Sequence, residues 1–308
     1  MSEPGERENA ARFERGLNVL GSIIAPATLL GALLFYFGYV SSRAQYDYFG
    51  IDVDVIGLNT QDYVMRSPQP LLVPLLVFAL VGAALIAWHA QIRRRSSRSG
   101  FAVAVRRGVV VGLGILAVGL ILLFAYPLLA EWDYYPLVTP LIVALGGAIA
   151  AYCVGTVRFL ARETGGGHRP PTGVVVLLWA AVAACVFWAT ATVAQWSGLG
   201  LAQQQARAPD NLPSVIVDTE QRLFLPDEAR VSETALPALA DETFRFRYWG
   251  LRLLIVGDDR MFLIPNAWDN HNTTLVLPLD GSVRLQFQFR NLEPYTVGRA
   301  VQSTASTQ

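Results

Sequence analysis

Five stretches of the chain carry no charged residue, and each is long enough to cross a lipid bilayer. They cover residues 17–40, 70–90, 108–130, 137–157 and 173–196. At a rise of about 1.5 Å per residue, helices of these lengths span a hydrocarbon core about 30 Å thick. Charged residues make up only 16% of the chain, against about 25% in soluble domains. The sequence therefore predicts a membrane protein with five transmembrane α-helices, followed by a small, mostly-β extracytoplasmic domain.

The arginines that flank these stretches predict an orientation. Short cytoplasmic loops carry an excess of Lys and Arg. One side would hold Arg7, Arg12, Arg15, Arg93, Arg94, Arg95, Arg98, Arg106, Arg107, Arg158, Arg162 and Arg169, and the other only Arg43 and Arg66. The N-terminus is expected inside the cell and the C-terminus outside it, in a multi-pass protein of the cell membrane.

This orientation divides the chain into segments. We expect a cytoplasmic segment 1–16, a five-helix domain 17–196, a linker 197–210, a β-rich extracytoplasmic domain 211–292 and a tail 293–308. The helices are placed at about 17–40, 70–90, 108–130, 137–160 and 173–196, with an outer loop 41–69. All 24 basic residues are arginine, which indicates a GC-rich bacterial genome. They form no basic cluster on the predicted outer domain, so nucleic acid is not an expected partner.

The predicted spans contain features of helix packing rather than of transport. No charged residue lies at mid-depth, where ion-coupled transporters commonly place one. Small residues recur at Gly108, Gly112, Gly114 and Gly119 and at Gly146 and Gly147. Such residues let helices approach closely, either within one chain or between copies. Cys153 and Cys185 fall inside spans and are interpreted as packing residues. The sequence predicts no metal site and no cofactor.

The outer loop is too aromatic to be a free linker. Tyr46, Tyr48 and Phe49 precede an alternation of Ile51, Val53 and Val55 with Asp52 and Asp54. We expect it to dock on the bilayer interface or, in the favoured alternative, on the β-domain. There Asp52 and Asp54 would meet arginines of the strand that contains Arg245, Arg247 and Arg252.

Two stretches carry a family resemblance. Residues 46–67, with Phe-Gly-Ile-Asp, Gln-Asp-Tyr and Arg-Ser, resemble a segment of uncharacterised multispanning membrane proteins of actinobacteria. Residues 247–254 (RYWGLRLL) and 260–265 (RMFLIP) are similar to their C-terminal domain. The resemblance implies the same architecture and brings no activity with it.

The C-terminal region carries strand signals at 214–218, 222–225, 243–256 (broken at Gly250) and 260–264. Residues 274–279 and 282–289 alternate on either side of Asp280-Gly281, which predicts a hairpin with a type I′ turn. Trp268 and His271 lie in a polar loop, but no catalytic motif accompanies them.

From these patterns we expect a non-enzymatic membrane protein whose outer domain binds an envelope protein or an extracellular ligand. The partner could also be a second copy of the chain, and the spans contact membrane lipid. The candidate interaction surface comprises Tyr46, Tyr48, Phe49, Asp52, Asp54, Trp268 and His271. The alternative is a channel or transport component, either a single chain or an oligomer with a pore between subunits, whose hydrated path would be bordered by Thr28, Thr190, Thr192 and Gln195.

Overall fold

The structure, a computed structural model, describes residues 4–95, 101–163, 172–225, 231–237, 242–269 and 273–288. The chain forms two compact units, each built from two segments. The helical unit comprises Met1–Val40 and Arg66–Ser197. The sheet unit comprises Ser41–Met65 and Gly198–Gln308. Residues 41–65 therefore cluster with the C-terminal region and not with the helices that flank them in sequence.

Five helices in the described part of the chain are long and apolar enough to cross a membrane. They are α1 (Pro4–Asp47), α4 (Pro68–Arg95), α5 (Phe101–Phe124), α7 (Tyr135–Glu163) and α8 (Thr172–Arg207). Large apolar side chains stand exposed along them, including Leu72, Leu80, Ile86, Val110, Ile121 and Leu177. Exposed apolar surface of this extent fits contact with lipid. The predicted fold class is confirmed, and the chain is a multi-pass integral membrane protein.

The third span is shifted toward the N-terminus relative to the predicted residues 108–130, because its helix begins at Phe101 and ends at Phe124. A separate short helix, α6 (Tyr126–Leu129), follows it. Pro127 has no N–H to donate to the Leu123 carbonyl, which disfavours a continuous helix at this point. The buried Tyr135 hydroxyl compensates by donating to the carbonyls of Leu122 (3.0 Å) and Leu123 (3.4 Å). The proline thus ends the helix, and a side chain from α7 caps it.

Helices α5 and α7 pack together through small residues, as the glycine pattern predicts. A Cβ atom added to Gly112 would lie 2.6 Å from the Ala150 backbone nitrogen. One added to Gly119 would lie 2.6 Å from a Val143 methyl, and one added to Gly146 would overlap the Leu116 backbone. Contacts move back along α7 as they advance along α5, so the two helices are antiparallel. The close approach requires glycine at these positions.

Helix α8 packs against α7 and supplies a hydrogen bond that α7 cannot make for itself. Pro140 lies inside α7 and has no N–H for the Pro136 carbonyl. The Thr192 hydroxyl of α8 lies 3.2 Å from that carbonyl and equally far from its own Trp188 carbonyl. One hydroxyl therefore serves both helices.

The sheet unit contains six strands and three short helical turns. The strands are β1 (Ser214–Thr219), β2 (Ser232–Ala235), β3 (Phe246–Val256), β4 (Arg260–Pro265), β5 (Leu275–Pro278) and β6 (Val283–Gln288). The turns are α2 (Val53–Ile56), α3 (Thr60–Arg66) and a 3-10 turn at Pro209–Asn211. All pairs are antiparallel, in the order β5-β4-β3-β1-β6, and β2 pairs with the first half of β3.

Three sequence expectations need correction here. The linker expected over 197–210 is helical as far as Arg207, because its Ala, Leu and Gln residues favour a helix. Residues 222–225 form no strand. Strand β3 is not broken at Gly250, whose φ of 87° is accommodated by a bulge opposite β1.

The predicted hairpin of the last two strands is wrong. Strand β5 pairs with β4, and β6 pairs with β1 at the other end of the strand order. Gly281 does not have the positive φ that a type I′ turn requires; among the described residues, the glycines that do are Gly50, Gly57 and Gly250.

The four residues between β5 and β6 also show that the sheet curls. In a flat sheet these strands would lie four spacings apart, about 19 Å, which exceeds the reach of that connection, about 17 Å. Consistent with this, Leu277 of β5 belongs to the same core cluster that Val283 and Leu285 of β6 pack against. The centre of this core is formed by Val215, Val217, Tyr248, Leu251, Met261 and Leu263.

Candidate interaction surface

The outer loop folds into short, capped elements. Helix α1 ends at Asp47, and Gly50 turns the chain with a φ of 72°. Asp52 caps α2 by accepting a hydrogen bond from the Asp54 N–H at 3.1 Å. Gly57 ends α2 in the left-handed conformation, which glycine adopts without strain. The alternating residues 51–55 therefore lead into one turn of helix, Val53–Ile56.

Phe49 anchors this loop on the sheet. Its side chain is 3% exposed, and its ring centroid lies 5.3 Å from that of Trp268, which follows β4. Its carbonyl oxygen accepts a hydrogen bond of 2.7 Å from the Thr274 hydroxyl, just before β5. Residues more than 200 positions apart thus meet through a ring contact and a hydrogen bond. The prediction that the loop docks on the β-domain is confirmed.

A second contact joins the loop to the turn between β3 and β4. A Cβ atom added to Gly257 would overlap the Ile56 carbonyl oxygen. One added to Gly57 would lie 3.1 Å from a carboxylate oxygen of Asp258. Ile56 itself is buried. Glycine at both positions lets the two backbones touch.

The ends of α1 and α8 complete the sheet unit. The Gln45 amide donates to the Gln205 amide oxygen at 2.9 Å. Ser42 and Ala202 are buried, and a Cβ atom added to Gly198 would overlap the Ser41 carbonyl. The residues expected to form a linker therefore pack on the helix that leads into the loop.

The expected pairing of Asp52 and Asp54 with strand arginines is wrong for Arg247 and Arg252, which bind other partners. Both aspartates are exposed. Arg247 binds Asp218, whereas Arg252 binds Asp210 at 2.8 Å and the Asn266 side chain at 2.8 Å. Both arginines therefore have partners outside the loop, and the loop aspartates lie at the surface.

Asp218 is the most constrained ionisable group of the sheet unit. It is fully buried and accepts hydrogen bonds from Arg247 (2.7 and 2.9 Å) and Arg284 (2.9 and 2.7 Å). Burial by itself raises the pKa of this carboxyl. The hydrogen bonds and charges of the two guanidinium groups outweigh burial, so the pKa of Asp218 is lowered. The carboxylate therefore stays ionised at neutral pH.

A groove of about 540 Å³ lies where the loop meets β4 and β5. It is lined by Phe49, Gly50, Ile51, Asp52, Val55, Phe262, Thr273, Thr274 and Val276. Phe49, Ile51 and Phe262 are buried, whereas Val55 and Val276 are 50% and 46% exposed. The exposed Asp52 lies in the lining. The groove thus combines apolar side chains with one carboxylate, a composition suited to contact with another molecule.

The structure brings together some of the predicted surface residues but not all. The Phe49 ring contacts the Trp268 ring in a tilted arrangement and, at 5.4 Å, the Tyr48 ring edge-on, while Asp52 lines the groove. Tyr46 is 2% exposed and so serves the core of the sheet unit. Asp54 is exposed outside the groove lining, and His271 lies outside the described residues.

Val276, Phe262 and the Asp218 cluster were missed by the sequence reasoning. A charged residue that ends the apolar run Val215–Val217 was a usable signal for the buried Asp218.

The hydroxyl groups that could border a transport path have other roles. Thr190 and Thr192 are buried and bond the carbonyls of Val186 and Trp188 in their own helix. Thr28 and Gln195 are exposed instead. These four residues therefore do not line one interior path.

Among the described residues, no group of three or more His, Cys, Asp or Glu side chains could hold a metal ion. The chain matches no protein-family model, no curated protein and no solved structure. The function is therefore argued from the geometry of the sheet unit.

Proposed function

We propose that this is a non-enzymatic protein of the cell membrane whose sheet unit lies outside the cytoplasm and binds an envelope protein or an extracellular ligand. The arginine distribution along the chain supports this orientation. The groove between the outer loop and β4–β5 supports the binding role, and it is the observation that carries the proposal.

The groove favours binding because its apolar residues are incompletely covered. Val55 and Val276 expose about half of their surface beside the buried rings of Phe49 and Phe262. Covering a valine side chain completely contributes about 1.5–3 kcal/mol. A partner that places an apolar group here would gain part of that energy, and Asp52 favours a partner with a neighbouring positive charge. The transport alternative receives less support, because Thr190 and Thr192 bond carbonyls of their own helix.

Site-specific photocrosslinking in the native membrane tests the proposal. A benzophenone amino acid at Val276 should give a discrete adduct, which mass spectrometry then assigns to a partner protein or to a second copy. The matched control places the same group at Thr234, an exposed residue of β2 outside the groove. Equal crosslinking from the two positions, or none from Val276, would contradict a binding role for the groove.

A further inference from the structure

A row of three charged residues crosses the sheet from β3 through β1 to β6. Asp218 of β1 is the register partner of Arg247 on one side and of Arg284 on the other. Partners in adjacent strands present their side chains on the same face. Both guanidinium groups therefore converge on one carboxylate.

The two arginines keep unused hydrogen-bond donors. Each arginine donates its Nε–H and one Nη2–H to the Asp218 carboxylate. A guanidinium carries five N–H groups, so about three remain on each arginine, six in all. The Arg247 and Arg284 side chains are 26% and 40% exposed, while Asp218 is not exposed at all. The carboxylate is thus covered, whereas part of each arginine side chain is open to solvent.

The row also carries more positive than negative charge. In the described part of the chain, Asp218 is the carboxylate within ion-pair distance of either guanidinium. One carboxylate neutralises one arginine, which leaves the other in excess. Glu242 acts on Arg247 from farther away and offsets part of this excess there. Arg284 has no comparable second acidic neighbour among the described residues.

Aromatic rings hold the guanidinium groups in place. Arg284 lies 4.7 Å from the centroid of the Phe244 ring, and Arg247 lies 6.0 Å from that of Trp249. A guanidinium fixed on one side by a carboxylate fork and on another by a ring loses little conformational freedom on binding a ligand.

We propose that the Arg247–Asp218–Arg284 row binds a phosphate group through the remaining N–H groups of its two arginines. Paired guanidinium groups match the geometry of phosphate oxygens and form charge-assisted hydrogen bonds with them. The phosphate comes either free from solution or as part of a larger anion, such as the headgroup of an anionic lipid. This site is separate from the groove and does not depend on its role.

Calorimetric titration of the full chain in a non-ionic detergent tests the site, with inorganic phosphate as the probe. Arg284→Gln should weaken binding about tenfold or more, because a charged hydrogen-bonding partner is lost. Arg222→Gln is the matched control, since Arg222 is an exposed arginine of the same unit that pairs with Glu233. It should bind phosphate like the parent. Equal affinity of the two variants, or no binding by the parent, would overturn the proposal.

Two further arms keep this test decisive. Arg284→Lys retains the charge that faces Asp218 but loses the planar fork, so it should fold and bind phosphate with intermediate affinity. Parental affinity would count against the site.

Vesicles of phosphatidylcholine with and without phosphatidylglycerol then separate the two sources of the phosphate group, lipid and solution. Stronger binding of the parent than of Arg284→Gln to the anionic vesicles indicates a lipid phosphate. The same weak binding of both to the vesicles, with phosphate binding retained in the parent, indicates a soluble one.

Discussion

Asp218 shows how one residue can hold three strands together. It is the only member of its row that is fully buried, and its charge is compensated by arginines from the strands on both sides. Removing one partner of a buried ion pair leaves the rest uncompensated and costs about 3–5 kcal/mol. The partial exposure of both arginines reduces this energetic cost, because water can hydrate their guanidinium groups once the carboxylate is gone.

Asp218→Asn should therefore lower the free energy of unfolding of the sheet unit by about 2–3 kcal/mol, measured by denaturant unfolding in detergent. Glu233→Gln, which breaks an exposed pair with Arg222, should change it by less than about 1 kcal/mol. Equal effects of the two substitutions would show that the row around Asp218 contributes no more to the free energy of unfolding than the Arg222–Glu233 pair does.

The same variant gives a pH test. The pKa of Asp218 is lowered in the folded state, so its contribution is present above the unfolded pKa of about 3.9 and is lost as the pH falls through the folded value. The stability difference between the parent and Asp218→Asn should be constant near neutrality and shrink below about pH 4. A difference that stays constant into acid would contradict the assignment.

Phe49 makes a separate contribution, since it joins the loop to the sheet. Phe49→Ala removes a buried ring that contacts Trp268, and such truncations cost about 3–5 kcal/mol. Limited proteolysis in detergent should then cleave the sheet unit faster than in the parent. Val55→Ala, at a half-exposed position, is the control and should behave like the parent. If Phe49→Ala resists protease as well as Val55→Ala does, the loop is not anchored by this ring.

At the scale of the element, helix packing in the helical unit depends on which glycines face a neighbour. Gly112 faces the backbone of α7, while a Cβ atom at Gly114 would have no atom within 4 Å. Gly112→Ala should destabilise the helical unit by about 1–3 kcal/mol through overlap with Ala150. Gly114→Ala should be neutral or slightly stabilising, because alanine favours a helix. Thermal unfolding in one detergent compares them, and a Gly112→Ala variant as stable as Gly114→Ala would refute the close contact.

The spans could be predicted because the information that defines them is local. Each charge-free stretch determines a helix by its own length and composition, whatever its neighbours are. The exact ends were placed less well: α5 ends before Pro127, whereas α1 and α8 extend to Asp47 and Arg207, beyond the predicted residues 40 and 196. The pairing of the last two strands could not be predicted from local sequence. Val283 and Leu285 do face the core, as their alternation indicates. However, the Asp280-Gly281 pair does not reveal that β6 pairs with the buried β1 and not with β5, its neighbour in sequence.

The candidate interaction surface was likewise predictable only in part. The apolar and aromatic character of the loop indicated that it docks, and Phe49 and Trp268 do meet. The partners of the aspartates and arginines could not be predicted, because Asp218 and Asp210 compete with the loop aspartates for Arg247 and Arg252. That competition is decided by strand register, which emerges only once the sheet has formed.

At the scale of the whole molecule, the orientation in the membrane that the arginine counts predict can be tested directly. Single cysteines are placed at Ser97 and Asp280 in a chain that lacks Cys153 and Cys185. An impermeant thiol reagent added to intact cells should label position 280 and spare position 97, because the excess of arginine keeps the latter segment inside.

Permeabilised cells serve as the control and should label both positions, which shows that each cysteine is reactive. Labelling of position 97 but not of position 280 in intact cells would reverse the assigned orientation.

The sheet unit takes its loop from one part of the chain and its strands from another, and this separation has a consequence in time. About 220 residues lie between Phe49 and Trp268. At a synthesis rate of about 5–20 residues per second, the ribosome needs roughly 10–40 s to make them. During that interval Phe49, Ile51 and Ile56 have left the ribosome without the strands that bury them. A premature stop codon within the last strands would therefore first affect the outer loop, far upstream in the sequence. The loop would have no strands to pack against.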